Sequence, residues 1–157
     1  MTRPPKVMPF LWVHERGREA VEFYVSLLPD SRITEVEEVG GGTTVISFEL
    51  MGHPYAVMNH PGEHTLNDAF SIAVRVDGQA EIDRLWAALS EGGTEIACGW
   101  LRDRYGVTWQ ISPQQMDDLR KSGTPAQAQA VMEAMMKMVK FDIAALEAAF
   151  EAAKEEV

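Results

Sequence analysis

The sequence predicts an α+β fold built from two βαβββ modules and a helical C-terminal extension. Two observations predict the modules: a strand, a helix and three strands follow one another between about residue 7 and residue 60, and the same order recurs between about 68 and 113. The third observation is a change to helical periodicity over residues 114–157. A repeat of about sixty residues is too long for a solenoid. Because no long linker interrupts the chain, we expect residues 1–157 to form one domain.

The first module opens with a short apolar and aromatic run at residues 8–13, which favours a buried strand. A helix is expected at 18–28, because its apolar residues recur at the spacing of one buried stripe and Pro29 ends it. Three strands complete the module. They are expected at 32–39, 43–50 and 55–58, joined by the triple glycine at 40–42 and a tight turn at 51–54.

The second module repeats this order. A strand is expected at 69–76 and a helix at 79–90, whose apolar stripe contains Ile82, Leu85, Trp86 and Leu89. Gly92 and Gly93 follow the helix and indicate its end. Short strands are then expected at 94–97, 99–103 and 107–113.

The C-terminal extension is predicted to be helical. Pro125 can open a helix, and a second helix is expected over residues 141–153. The apolar residues of the first helix form one methionine-rich stripe, which we expect to close a core or a dimer surface. This stripe consists of Val131, Met132, Met135, Met136 and Val139.

Charge and composition exclude several classes of function. The chain carries 14 Lys and Arg against 24 Asp and Glu, a net charge of −10, so nucleic acid and anionic membrane are poor partners. The single cysteine, Cys98, excludes an internal disulfide and a thiolate zinc cluster, which favours a reducing compartment. The apolar run near the N-terminus is too short for a signal peptide or a spanning helix. We therefore expect a soluble cytoplasmic protein.

Histidine, glycine and cysteine patterns give few catalytic candidates. The segment from His60 to His64 holds two imidazoles and Glu63, which could bind zinc or iron if the loop folded back on itself. The proline and glycine inside it prevent the helical spacing of known sites, so a solvated loop is favoured. We expect His14 and His53 to be surface residues, and Cys98 to be a small packing residue. No nucleophile elbow or phosphate-binding glycine loop is found.

The segment 98–111 is the densest in aromatic and charged residues, and it admits two interpretations. In one, it is a well-packed hairpin in which Asp103 and Arg104 hold the turn and the tryptophans fill the core. In the other, Trp100, Trp109 and Gln110 line a pocket for an organic ligand, since aromatic walls and a few neutral polar groups are typical of such sites.

Several stretches resemble the vicinal oxygen chelate superfamily, which includes glyoxalase, bleomycin-resistance and dioxygenase proteins. Within it they resemble the branch labelled 3-demethylubiquinone-9 3-methyltransferase-like, over nearly the whole chain. These stretches are PFLW at 9–12, AVEFY at 20–24, LLPDS at 27–31, CGWLRDRYGVTWQI at 98–111 and VMEAMMKMVKFDIAALEAAF at 131–150.

The resemblance implies an open, U-shaped sheet or half-barrel around a pocket, commonly in a homodimer. It places Gln110 where the metal enzymes have a ligand Glu and Ser71 where they have a ligand His. Asn59 and either Met8 or Pro9 stand at the corresponding places in the first module. These side chains are poor ligands for a divalent ion. We therefore expect a neutral polar pocket without metal or other cofactor.

The resulting hypothesis is a small-molecule-binding protein whose ligand is a small, partly aromatic or apolar organic molecule. The residues expected to line the pocket are Trp12, Asn59, Ser71, Trp100, Trp109 and Gln110. One alternative is a metal-dependent lyase or isomerase of the glyoxalase or dioxygenase type that recruits His60, Glu63 or His64. Others are an enzyme of the methyltransferase-like branch, and an interaction protein with a closed pocket.

Overall fold

The computed structural model describes residues 3–154, which form eight strands and five helices. The chain folds into two compact units, one ending at Leu66 and the other beginning at Asn67. In chain order the elements are β1 (Phe10–Val13), α1 (Gly17–Leu27), β2 (Arg32–Gly40), β3 (Thr43–Leu50), β4 (His53–Asn59), β5 (Ile72–Val76), α2 (Gln79–Ser90), β6 (Thr94–Glu95), β7 (Trp100–Arg102), β8 (Thr108–Pro113), α3 (Gln114–Ser122), α4 (Pro125–Met136) and α5 (Ile143–Lys154).

The first unit holds a four-stranded sheet in the order β1-β4-β3-β2. β1 runs parallel to β4, whereas the other neighbours are antiparallel. Side chains alternate along β3, so Ile46, Phe48 and Leu50 are buried on the side of α1. Val21 and Tyr24 of α1 are buried in the same core.

The second unit repeats this topology with the order β5-β8-β7-β6, again with a parallel first pair. α2 buries Ile82, Leu85 and Leu89, and the sheet buries Leu101 and Ile111. The predicted duplication of a βαβββ module is therefore confirmed.

Helices α3 to α5 belong to the second unit, because their apolar side chains share one core with α2. This core consists of Ile82, Met116, Val131, Phe141, Ile143, Leu146 and Phe150. Gln79, the first residue of α2, also binds the backbone before α5. Its Nε2 donates to the carbonyl of Phe141 at 2.9 Å, and its Oε1 accepts from the amide of Ile143 at 2.8 Å.

Some of the predicted elements need correction. β5 begins at Ile72 rather than at residue 69, because the side chain of Asn67 accepts a hydrogen bond of 2.8 Å from the amide of Ala69 and holds this stretch in a turn. The methionine-rich stripe is also not one buried face. Met136 is 67% exposed, and Val139 lies beyond the end of α4, where its carbonyl accepts from the amide of Gly99.

Candidate functional site

Each sheet has one face covered by the helix of its own module and one opposite face, which we call the free face. In the second module, strand register aligns Ala73, Gln110 and Trp100 across β5, β8 and β7. Their buried neighbours Ile72, Trp109 and Leu101 form the next row. Since successive strand residues point to opposite faces, the first row lies on the free face.

Gln110 and Ser71 form a hydrogen-bonded pair on this free face. The side-chain Nε2 of Gln110 donates to the Oγ of Ser71 at 2.8 Å, and both residues are half-buried. This bond leaves the Oε1 of Gln110 as an acceptor and the hydroxyl hydrogen of Ser71 as a donor. The pair can therefore hold a ligand group that both donates and accepts.

A charged cluster adjoins the pair. Arg102 donates to both carboxylate oxygens of Asp68 at 2.7 Å, and the hydroxyl of Thr108 donates to one of them at 2.7 Å. The hydrogen bond from Arg102, followed by that from Thr108, holds the pKa of Asp68 below its ordinary value. This cluster ties the chain that enters β5 to β7 and β8, and so fixes the position of Ser71.

Trp109 lies in the core rather than on the free face. It is 1% exposed, and its indole Nε1 donates to Oδ2 of Asp103 at 2.9 Å. Asp103 is 3% exposed, and its Oδ1 also accepts from the amides of Tyr105 and Val107. Asp103 and Trp109 therefore have the geometry of the packed-hairpin interpretation, whereas Gln110 and Trp100 lie in register on the opposite face of the sheet.

In the first module, Phe10 and Trp12 alternate with buried Leu11 and Val13 along β1. They therefore lie on the free face of the first sheet. Phe10 is 55% exposed, and the indole Nε1 of Trp12 donates to the carbonyl of His60 at 2.7 Å. Of the site residues predicted in the first module, Trp12 thus lies on the free face.

Asn59 lies on the helix side of the same sheet, in register with Val13. Its Oδ1 accepts from the amide of Gly17 at 2.7 Å, at the first residue of α1. Arg16, the residue before the helix, makes no side-chain cap. Asn59 therefore caps α1 from β4.

The histidines differ in burial. His53 is exposed, as predicted, but His14 is half-buried, and its Nε2 is a buried atom without a hydrogen-bond partner. The expectation that His14 is a surface residue was wrong, because its ring lies against that of Trp12, with ring centroids 6.4 Å apart. The Nδ1 of His60 lies 2.7 Å from the Oγ1 of Thr43, and His64 is exposed.

The donor set does not fit a divalent metal ion. The positions that the superfamily resemblance assigns to ligands carry neutral side chains, and two of them, Ser71 and Gln110, already bind each other. Within residues 3–154, no group of three or more His, Cys, Asp or Glu side chains is placed to hold a metal. His60, Glu63 and His64, the alternative ligand set, are among these residues and are not placed together to hold a metal.

Two further features lie outside the free faces. Cys98 is half-buried rather than fully packed, and its φ of 54° places it in a left-handed turn before Gly99. A groove of about 300 Å³ lies between α3 and α4, and it contains none of the residues predicted from the sequence. Its lining consists of Asp117, Arg120, Lys121, Ala128, Gln129 and Met132.

A family model described as 3-demethylubiquinone-9 3-methyltransferase matches residues 5–112. The chain belongs to this family. Helices α3 to α5 lie beyond the residues that the family model matches.

Several solved structures share this fold. A putative 3-demethylubiquinone-9 3-methyltransferase, the PhnB protein from Bacillus cereus, is 26% identical with a TM-score of 0.64, and the match covers 69% of this chain and 99% of that one. Protein PA1353 from Pseudomonas aeruginosa is 21% identical with a TM-score of 0.57, covering 70% and 98%. The fosfomycin resistance protein FosX from Mesorhizobium loti is 15% identical with a TM-score of 0.52, covering 82% and 99%, and so shows the fold alone.

The predicted fold, and the predicted membership in the family described as 3-demethylubiquinone-9 3-methyltransferase, are thereby confirmed. No curated protein matches the chain. Among residues 3–154, the structure contains no helix with the length and apolar character needed to cross a membrane.

Proposed function

We propose that this chain binds a small, partly aromatic or apolar organic molecule through uncharged groups and without a metal ion. The observation that carries the proposal is the Gln110–Ser71 hydrogen bond of 2.8 Å on the free face of the second sheet. The bond offers a ligand one acceptor and one donor in fixed positions. Neutral polar groups of this kind orient organic ligands in apolar sites.

Aromatic side chains supply the apolar part of the proposed contact. Trp100 is in register with Gln110 and is half-buried, so part of its indole surface remains open. Within the first unit, Trp12 lies on the free face of its own sheet, and we propose it as a separate apolar contact. Tryptophan surfaces of this kind favour offset-stacked or edge-to-face contact with a planar ring. Asn59 and Trp109 would support the two faces from the core side.

Equilibrium dialysis with a panel of quinones, phenols and hydrophobic drugs tests the proposal. We expect saturable binding of at least one compound. Gln110→Ala should weaken this binding by about tenfold, or about 1.4 kcal/mol, because the ligand loses a hydrogen bond to the Gln110 side chain. Gln114→Ala, on α3, is the matched control and should leave binding unchanged. No saturable binding, or equal affinity in both variants, would contradict the proposal.

The metal-dependent alternative makes an opposite prediction. A lyase or isomerase that used His60, Glu63 or His64 would hold a stoichiometric metal ion. Elemental analysis of protein purified without a His-tag distinguishes the two hypotheses. Stoichiometric zinc, nickel, iron or manganese would overturn the metal-free proposal, whereas trace metal that EDTA removes without changing ligand affinity would support it.

Methyl transfer is not part of the proposal, although the family description names it. Transfer from S-adenosylmethionine is normally served by a doubly wound sheet with a glycine-rich turn after its first strand. Both sheets described here are four-stranded and mixed. A fold or family label does not by itself carry an activity.

We also propose a homodimer, because the superfamily resemblance implies this assembly, and we place it in the cytoplasm, because the single cysteine favours a reducing compartment. Met136, 67% exposed on α4, and Val139, 43% exposed after it, offer apolar surface for the contact. Sedimentation equilibrium of the wild-type chain and of Met136→Glu tests the assembly. We expect a dimer that the charged substitution weakens, and a wild-type monomer at every concentration would contradict it.

A further inference from the structure

The indole of Trp12 is covered by a segment of the same unit, residues 60–64, which we call the cover. The carbonyl of His60 accepts the hydrogen bond from the Trp12 Nε1 at 2.7 Å. Gly62 lies against the ring, since a Cβ built on it would come within 2.5 Å of the Cζ2 atom of Trp12. The imidazole of His64 packs against Trp12 at an interplanar angle of 56°, with ring centroids 4.6 Å apart.

The cover is anchored at one end. In the part of the chain that the structure describes, every hydrogen bond of the cover involves His60, through Trp12, Thr43 and the carbonyl of Val13. The other cover residues, from Pro61 to His64, are exposed. Such a segment can leave the ring at little energetic cost, because few buried contacts and hydrogen bonds hold it.

A polar atom lies unpaired beside the covered ring. The Nε2 of His14 is buried and has no hydrogen-bond partner. The rings of His14 and Trp12 meet edge to face, at 6.4 Å and an interplanar angle of 73°. A buried polar atom without a partner is unfavourable, and an added group that pairs with it would be favoured over bulk water.

We propose that Trp12 and His14 form a ligand subsite that the cover closes when no ligand is bound. The imidazole of His64 then occupies the place of a planar ring of the ligand, and the ligand carries a hydroxyl that pairs with the His14 Nε2. A hydroxyl suits either tautomer of His14, because it can both donate and accept. The ligand class is therefore a hydroxylated aromatic ring, and this inference rests on the proposed function.

Exposure of Trp12 tests whether the cover opens. Protein labelled with 5-fluorotryptophan gives a fluorine resonance for each tryptophan, and Trp12→Phe assigns the resonance of residue 12. A soluble nitroxide should broaden this resonance weakly in the wild-type protein and at least twofold more in His64→Ala and Gly62→Ala. Glu63→Ala, an exposed cover residue, is the matched control and should resemble the wild type.

Binding of phenol tests the ligand class, with toluene as the comparison. His64→Ala should bind phenol at least fivefold more tightly than Glu63→Ala, and Trp12→Ala should lose this binding. His14→Phe should remove the preference for phenol over toluene. Equal nitroxide broadening in His64→Ala and the wild type, or equal phenol affinity in His64→Ala and Glu63→Ala, would overturn the inference. Gln110-dependent binding of another panel compound would then still uphold the proposed function.

Discussion

The buried carboxylate of Asp103 accepts a hydrogen bond of 2.9 Å from the indole of Trp109, six residues further along the chain. The same carboxylate accepts from the amides of Tyr105 and Val107, at 2.8 and 3.0 Å. One buried side chain thus satisfies both the turn backbone and the core tryptophan. This places Gln110, the next residue, on the opposite face, where a ligand could reach it.

Removing the carboxylate of Asp103 should strongly destabilise the second unit. Asp103→Ala removes the buried acceptor of two amides and one indole N–H, and we expect a loss of about 2–4 kcal/mol in the free energy of unfolding. Trp109→Phe removes one of these bonds and should cost about 1–2 kcal/mol. Urea unfolding at neutral pH measures both. Asp118→Ala, at an exposed position of α3, is the control and should stay within about 0.5 kcal/mol of the wild type.

The cap of α1 by Asn59 gives a prediction that separates stability from binding. Asn59→Ala should lower the free energy of unfolding by about 1 kcal/mol, because the amide of Gly17 loses its partner. Asn59→Asp should retain the stability, since a carboxylate is favourable at a helix N-terminus. Thermal unfolding and dialysis on the same samples measure the two effects. A tenfold loss of ligand affinity in Asn59→Asp would contradict the structural role.

The succession of strands and helices along each module, and the duplication, could be predicted from the sequence, because they follow from local periodicity. The boundaries of β3 and α2 agree with the prediction residue by residue. The faces were harder to assign at Trp109 and Gln110. Both matched a pocket motif, but adjacent strand residues cannot share a face. Ile111 is apolar and typical of a core. Alternation from Ile111 therefore predicts that Trp109 faces the core and that Gln110 lies on the opposite face of the sheet.

Other features depend on contacts between distant residues, and no local pattern reports them. The cap of α1 joins residues 42 positions apart, and the Gln110–Ser71 bond joins residues 39 apart. The buried Nε2 of His14 likewise depends on tertiary packing, including the ring contact with Trp12. Asn67 is a partial exception, because an Asn two residues before an amide is a known turn former, and this signal could have shortened β5.

The Asp68 cluster predicts a specific pH dependence of stability. The hydrogen bonds from Arg102 and Thr108 lower the pKa of Asp68 in the folded chain relative to the unfolded chain. Their contribution is therefore fully present above the unfolded value, near 4, and is lost as the pH falls through the lower folded pKa. We expect Asp68→Asn to have a flatter stability profile below about pH 4 than the wild type.

Thermal unfolding between acidic and neutral pH measures this difference. Asp77→Asn is the control, because Asp77 is exposed and makes no hydrogen bond or ion pair within the described residues. It should follow the wild-type profile. If Asp68→Asn and Asp77→Asn gave the same profile, the cluster would contribute nothing to the attachment of β5.

Gly99 and Gly106 allow a steric contact to be separated from backbone strain. Both have positive φ, 80° and 89°, so an alanine at either position should cost about 1–2 kcal/mol in backbone strain. At Gly106 a Cβ meets nothing within 4 Å. At Gly99 it would come within 2.4 Å of the ring of Phe141 and 2.8 Å of the carbonyl of Ile111.

Gly99→Ala should therefore be less stable than Gly106→Ala by about 1–3 kcal/mol, the usual cost of overpacking a core. The amide of Gly99 donates to the carbonyl of Val139, so the substitution should also loosen the chain between α4 and α5. Urea unfolding gives the difference in stability, and amide hydrogen exchange at positions 98, 99 and 143 reports the loosening. Equal destabilisation by the two substitutions, with unchanged exchange, would mean that the extension is not held against the hairpin at this point.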